Sequence, residues 1–445
     1  MRYATRLFPA VRKLSFGVKE GSRLKVLPKV ELDIDYLCNV EKKTEIETNI
    51  KNRKGIGDID RVHDLYARIQ AAEKERDRTE LLVKFEEEAK KIPNRSYNLV
   101  PSCENAVKVV KSIGTQKSFN FEPKEFSKLM DSLHVLRTVN LANFAGHKSY
   151  YFMGDLAALE HALVRFSIKG LLKRGFHLVS VPDILPAHII ESCGMPVESD
   201  RSQVYKLDES HGPGLCLSGT AEMALAGYVM NKQFHASELP LRFAAVSRCF
   251  RAETSGLSEE RGIYRVHQFT KVEMFAVTDQ DSAGSLLEEF RNIQEENFAS
   301  LGLHLRTLDM PPHELGASTY RKYDVEAWLP GRKMFGEVSS CSNCTDYQSR
   351  RLAIKYLPCD AFAPVHAHTV NGTACAIPRM LIALVETHQE PDGNVVIPDV
   401  LRPYMQGKER IQQSYNKTLI RGWKEITDLI IEYLVNSTGI FNHLL

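Results

Sequence analysis

Phe250-Arg-Ala-Glu253, a polar loop from Thr254 to Arg261, and Gly262-Ile-Tyr-Arg-Val-His-Gln-Phe269 form the stretch on which the reading of this chain turns. Two strand-like segments flank a charged loop containing Ser and Gly, the pattern of a hairpin. Residues two apart on a strand share a side, so Arg251 and Glu253 face the same way. An arginine held on a rigid strand suits a bidentate grip on phosphate, and the Phe269 ring offers a surface on which a base can stack. Taken alone, an Arg-x-Glu pair on a strand is more often a surface ion pair. His267, beside Val266 on the same segment, reads as structural rather than as a general base.

Other segments narrow the choice. Thr220-Ala-Glu222 follows Leu217-Ser-Gly, Lys271-Val-Glu-Met274 follows the hairpin, Gly336-Glu-Val-Ser-Ser340 comes later, and Asn371-Gly-Thr373 precedes Ala376-Ile-Pro-Arg379. Together these segments resemble the signature motifs of class II aminoacyl-tRNA synthetases, specifically the mitochondrial-type seryl-tRNA synthetases. Arg174-Gly-Phe-His-Leu-Val-Ser-Val-Pro182 resembles motif 1, Phe250 to Phe269 motif 2, and Asn371 to Glu386 motif 3. The likeness runs from about Phe119 to Gly407. Ala374 and Pro378 stand where the bacterial pattern has glycines, and the mitochondrial branch resembles this chain there.

The resemblance implies a role for each matching residue. Arg251, Glu337 and Arg379 form the catalytic set. ATP falls to Arg251, Ala252, Glu253, Val266, Phe269, Glu337, Val338, Ser339, Ser340 and Arg379. Arg251 would hold the α-phosphate and the serine carboxylate together, Glu253 would face the adenine amino group, Phe269 would stack on the ring, and Arg379 would clamp the γ-phosphate. Glu337 and Ser340 would place a magnesium ion, for which hard oxygen ligands are suited. Serine falls to Thr220, Ala221, Glu222, Arg251, Glu273, Asn371 and Thr373. Serine is too small for apolar packing to select it, whereas buried acceptors left unpaired by alanine reject that analogue strongly. Glu222 or Glu273 should therefore take the ammonium and hydroxyl groups.

Composition sets the bounds. At 445 residues the chain is long enough for two or three domains with a large core. With 43% hydrophobic and 26% charged residues it is globular rather than disordered. No apolar run reaches the length of a membrane span, and no membrane partner is expected. Lys+Arg 58 against Asp+Glu 56 gives +2, so affinity for nucleic acid must come from local patches. Nine scattered cysteines suit a reducing compartment. Cys341-Ser-Asn-Cys344, with Cys359, His366 and His368 beyond it, has zinc-like spacing but no second pair. In the family this run matches a strand and turn beside the magnesium glutamate, so no structural zinc is expected.

Four regions follow. Residues 1–25 carry Arg2, Arg6, Arg12, Lys13 and Lys19 with no acid before Glu20, a transit-peptide composition that points to the mitochondrial matrix. Residues 31–118 hold a shortened helical arm at 58–91, where Val62, Tyr66 and Ile69 form one stripe, Leu81, Phe85 and Ala89 another, and Glu73 to Glu80 the turn. Residues 93–124 read as a linker. Residues 119–407 form an α+β catalytic domain, a mostly antiparallel sheet flanked by helices, with Phe176 to Val181 and Leu241 to Val246 among its strands. Residues 408–445 form a helical extension striped by Leu419, Trp423, Ile426, Ile430 and Tyr433.

The resemblance implies mitochondrial serine tRNA as a partner. A hairpin of the arm's length reaches only about 25 Å, and acids outnumber bases on it, so its grip on RNA is expected to be weak. A dimer through motif 1 near Pro182 is expected, either a homodimer or a heterodimer with a second seryl-synthetase-like subunit that supplies the missing contacts. Two alternatives are weaker. A non-catalytic tRNA-binding paralogue would need loss of Arg251, Glu337 or Arg379, and none is lost. A relative that loads amino acids onto carrier proteins would use a zinc-bound amino-acid site, against which Thr220-Ala-Glu222 and Thr373 argue.

Overall fold

A computed structural model describes residues 29–97, 107–139, 141, 145–199, 202–253 and 261–413. The leader, the loop from 254 to 260 and the stripe from Leu419 to Tyr433 lie outside the described residues. Eight strands make the central sheet: β1 Lys108–Ile113, β2 His177–Leu178, β3 Leu241–Phe250, β4 Gln268–Thr278, β5 Leu305–Asp309, β6 Arg321–Leu329, β7 Met334–Thr345 and β8 His368–Ala376. Their order is β1-β5-β6-β7-β8-β4-β3-β2, with every neighbouring pair antiparallel except β2 and β3. The expected α+β class holds.

Two expectations need correction. Residues 93–124 are not only a linker, because β1 pairs with β5 at the sheet edge. Its side chains are half-buried or exposed, so the strand lacks the apolar alternation by which strands are recognised. Phe176 to Val181 yields only the short β2, which runs parallel to β3 and adds one further backbone bond, from the Val179 N–H to Ala244 O at 2.8 Å.

Among the helices are α1 Lys43–Asn52, α2 Ile59–Ala71, α3 Glu75–Lys91, α4 Gly154–Lys173, α5 Ala221–Tyr228, α6 Ala283–Ser300, α7 Tyr347–Leu352 and α8 Ile377–His388. One face of the sheet, carrying Val272, Met274, Tyr323, Val325, Cys341 and Val370, packs beneath α4, α6 and α8 as the main core. On the other face, Phe243, Ala245, Phe275 and Val277 pack with α5 in a second apolar cluster. Other positions of that second face, among them Lys271, Glu273, Asn371 and Thr373, are polar, and there the candidate site lies.

Two one-residue bulges decide which residues reach it. In β7, Ser339 opposes Val325 and Glu337 opposes Glu326, leaving Val338 as the extra residue. Residues three apart on a regular strand point to opposite faces; the bulge returns Glu337 and Ser340 to one face, with Val338 and Ser339 buried behind them. In β8, Thr373 opposes Glu273 and Cys375 opposes Val272, so Ala374 is extra in the same way.

The arm is a helical hairpin. The Asp58 carboxylate accepts from the Arg61 N–H at 2.9 Å and caps α2. Val62, Leu65 and Ile69 pack against Phe85, Ala89 and Ile92. The turn is tighter than the expected Glu73 to Glu80, since α3 begins at Glu75. Glu75 and Asp77 sit in its first turn, where acids are favoured by the helix dipole, so the charges start a helix rather than end one.

Arg53 fastens this region to the sheet. Only 6% exposed, it caps α1, and its guanidinium donates to Asn94 O at 2.7 Å, to Thr319 O at 3.0 Å and to Gly316 O. Burial pulls its pKa down to about 10. Beside it, the Asn94 amide donates to Ser318 O at 2.8 Å and Cys344 O at 2.9 Å. Arg53→Met should lower stability by about 2–3 kcal/mol, because it strips a charged donor from several buried carbonyls. An unchanged denaturant midpoint for the full chain would contradict that role.

Candidate active site

β3 ends at Phe250, and the Arg251 N–H donates to His267 O at 2.9 Å, drawing the two sides of the motif 2 stretch together. His267 lies just before β4, and its Nδ1 is within hydrogen-bond distance of the Tyr205 hydroxyl (2.7 Å) and Arg251 O (3.1 Å), a bridging position consistent with a structural role. The Arg251 guanidinium stands 5.4 Å from the Phe269 ring centre and donates to Gly219 O at 3.4 Å. The Glu253 carboxylate is buried, 3.5 Å from both Arg265 and the Gln203 amide. The Ala252 N–H donates to Gln203 O. Val266 and Val338 do not face the polar site: both side chains are in the main core.

Around Thr220 lies a pocket of four polar elements. Thr220 caps α5; its Oγ1 accepts from Lys271 Nζ at 2.7 Å and donates to Glu273 Oε2 at 3.1 Å, while Lys271 also pairs with Glu273. Lys271, Glu273 and Phe269 share one face of β4 by alternation. Ala221 is buried in the first turn of α5. Glu222, one residue on, accepts from the Gln348 amide at 2.6 Å and from the Asn371 amide at 2.9 Å, both at Oε1. Thr373 lies in register with Glu273 across the β8–β4 pair.

The two acids differ in their charge surroundings. Burial raises the Glu273 carboxyl, and the adjacent Lys271 opposes that rise. Burial pushes Glu222 up to about 7, with the Glu273 charge adding to the rise and Lys271, Gln348 and Arg251 resisting it. Glu222 therefore changes charge near neutral pH.

At the far side of the site, Arg379 in the first turn of α8 reaches Glu337 Oε2 at 3.0 Å and Glu337 O at 3.2 Å, and stacks over Tyr264 at 4.5 Å. Burial alone would raise the Glu337 carboxyl, but Arg379, Lys322 and Arg251 outweigh it and hold it at about 2. The field of Arg251 also reaches Glu222 and Glu273, and that of Glu253 reaches Arg379. Both arginines thus act on one carboxylate, Glu337. Glu337 and Ser340, brought to one face by the Val338 bulge, offer an ionised carboxylate and a hydroxyl, a donor set that fits a magnesium ion retaining waters and phosphate oxygens. Ser339 instead points its hydroxyl to Thr373 O on the buried side.

Three participants carry no assigned role in the sequence. Lys271 and Tyr264 lie inside the quoted motif segments, Lys271 two residues from Glu273 on a strand. Gln348 gave no signal, because it reaches the site from a separate helix. The cysteines of the zinc-like run diverge: Cys341 Sγ lies toward Leu287 O in the core, Cys344 Sγ accepts from Asn371 on the site side, and Cys359 is exposed. Among the described residues no three His, Cys, Asp or Glu side chains gather in a group that could hold a metal, and no helix is long and apolar enough to cross a membrane.

The Glu337–Arg379 pair has a defined pH signature. A carboxyl held at about 2 against an ordinary 4.5 contributes stability that is complete above pH 4.5 and lost as pH falls toward 2. The stability gap between the wild type and Glu337→Gln, read from denaturant midpoints, should narrow over that interval. A gap independent of pH would argue against the pair.

Residues 205–388 match the family model of the tRNA synthetase class II core domain (G, H, P, S and T). The chain is 45% identical over 336 residues to the mitochondrial serine–tRNA ligase of Mus musculus, an alignment that covers 75% of this chain and 64% of that protein, so it spans somewhat under two thirds of that relative. It is 34% identical over 413 residues to the mitochondrial serine–tRNA ligase of Saccharomyces cerevisiae, covering 90% and 89% of the two chains. Among solved structures, the seryl-tRNA synthetase of Pyrococcus horikoshii complexed with ATP superposes with a TM-score of 0.73 at 30% identity, covering 86% of this chain and 90% of that one. A charged sheet face carrying the motif 2 and motif 3 residues, with 34% identity to a ligase of which 89% is covered, leads to one conclusion: the chain belongs to the seryl-tRNA synthetase family of class II aminoacyl-tRNA synthetases.

Proposed function

We propose that this chain is a mitochondrial serine–tRNA ligase, which joins serine to ATP as seryl-adenylate with release of pyrophosphate and then transfers serine to the 3′ end of serine tRNA. The observation that carries this reading is the joint action of Arg251 and Arg379 on the Glu337 carboxylate, with Arg251 acting also on Glu222 and Glu273. In-line attack of the serine carboxylate on the α-phosphorus brings like charges together. Arg251 lowers that barrier by holding both groups and neutralising developing charge. Phe269 stacks on the adenine, Glu253 reads its amino group, and Arg379 holds the γ-phosphate. Glu337 and Ser340 would hold a magnesium ion, which would supply charge neutralisation to the phosphates.

In the serine pocket Glu273 is already compensated by Lys271, and among the described residues no cation is bonded to Glu222 at comparable range; Glu222 takes the ammonium, while Glu273, Thr220 and Thr373 face the hydroxyl side. The 45% likeness to mitochondrial ligases supports the mitochondrion as location, with the matrix as the compartment where charged tRNA is used. Serine tRNA is the macromolecular substrate, engaged in part by the short α2–α3 hairpin. Dimerisation through motif 1 belongs to the same reading, either with a second copy or with another seryl-synthetase-like subunit. Leu178 and Ile184, which are 54% and 50% exposed, support a partner there.

Serine-dependent exchange of pyrophosphate into ATP by the purified chain tests the reading before any RNA is added. Exchange should occur with serine and fall at least about a thousandfold in Arg251→Ala; unimpaired exchange in that variant would contradict the role. The kcat/KM for serine should also show an acid limb near pH 7, because protonating Glu222 removes the charge that meets the ammonium. A profile flat from pH 6 to 8 would remove Glu222 from that role.

A further inference from the structure

α7 approaches the serine pocket from the side where the N-terminal region is fastened. Its outer side is tied down: Arg350 bonds Asp346 at 2.7 Å and lies 3.7 Å from Asp33, the Glu31 N–H donates to Arg350 O at 2.8 Å, and Arg351 donates to Tyr347 O at 3.0 Å and Lys90 O at 3.4 Å. From its inner side Gln348, with no exposed surface, extends its amide to Glu222 Oε1 at 2.6 Å. The same oxygen takes the Asn371 amide, so two neutral donors converge on one carboxylate oxygen. The other end of the Gln348 amide, its Oε1, is buried with no hydrogen-bond partner among the described residues. A buried amide with an unpaired acceptor is a poor choice for packing alone, since an apolar side chain of like size would avoid the loss.

We propose that Gln348 is a positioning residue of the serine pocket: with Asn371 it clamps one oxygen of Glu222, turning the other toward the ammonium of the incoming amino acid. This rests on the reading of the chain as a serine ligase and adds to it a residue that never touches the substrate. A carboxylate on a short helix can rotate about its side-chain bonds, and two donors at one oxygen remove that freedom before the amino acid arrives. Donors to a carboxylate also favour its ionised form, which the ammonium requires. The charged and titratable groups facing Glu222 are Glu273 and Lys271 from β4, Arg251 beyond β3, and the Cys193 and Cys344 thiols. Among them Gln348 is a short, neutral contact whose removal changes no net charge.

The test uses the full chain in pyrophosphate exchange with serine and ATP varied separately from pH 6 to 9. Gln348→Leu should raise the KM for serine about tenfold or more, leave the KM for ATP within about twofold, and move the acid limb of kcat/KM for serine up by about one pH unit, so that the defect shrinks at pH 9. Gln348→Glu keeps the side-chain size and sets a second acid against Glu222, and should move the limb the same way; it decides the matter where the leucine variant unfolds early or no longer binds ATP by calorimetry. Unchanged serine KM and unchanged limb in a folded variant would overturn the proposal. A wild type that shows no serine-dependent exchange would instead sink the ligase reading on which it rests.

Discussion

Side chains along a strand alternate between two faces, and the candidate site depends on that constraint being kept over most of the sheet and broken at two of its four register shifts. The kept part separates Val272 and Met274, which enter the main core, from Lys271 and Glu273, which enter the pocket. The broken part is the extra residue at Val338 and at Ala374. Without the first, Glu337 and Ser340 would lie on opposite faces, and the carboxylate and hydroxyl suited to one cation would be separated by the sheet. A bulge in an antiparallel pair costs local ladder bonds, and here it re-aims a side chain into the site.

Burying that many charges on one face is unfavourable unless each has a partner. The pairs are graded. Glu337 meets Arg379 and stays ionised far below neutral pH; Glu273 meets Lys271 and Thr220; Glu222 meets only neutral amides at bonding distance and sits near neutral pH. Uncompensated charge is thus concentrated at the acid best placed to receive a cationic substrate group. On the proposed reading, selection of a molecule as small as serine would rest on such polar groups, because an analogue lacking the hydroxyl leaves them unpaired.

The N-terminal region is more than an appendage on this sheet. Arg53 and Asn94 bond carbonyls from Gly316 to Thr319 and at Cys344, and Cys344 in turn receives the Asn371 amide. The N-terminal region is therefore linked through largely part-buried hydrogen bonds to the strand that carries Asn371 and Thr373. α7 makes a second link, from Lys90 O and Glu31 on one side to Glu222 on the other.

Much of this was legible beforehand. The α+β class followed from motif order, the arm from two apolar stripes, and the grouping of Thr220, Glu222, Glu273, Asn371 and Thr373 from a family resemblance; the structure brings those five together. What escaped were features without a local pattern: the edge strand β1, whose side chains are solvated on both faces; the start of α3 inside a charged run; and the core placement of Val266. Residue identity and spacing along one element are local properties, so the chain alone determined its periodicities, its motifs and the chemical groups on offer. Phase shifts at a bulge, the convergence of Gln348 and Asn371 on one oxygen, and the ranking of the acids by charge depend on distances between elements far apart in the chain, and burial between packed layers alone decides them.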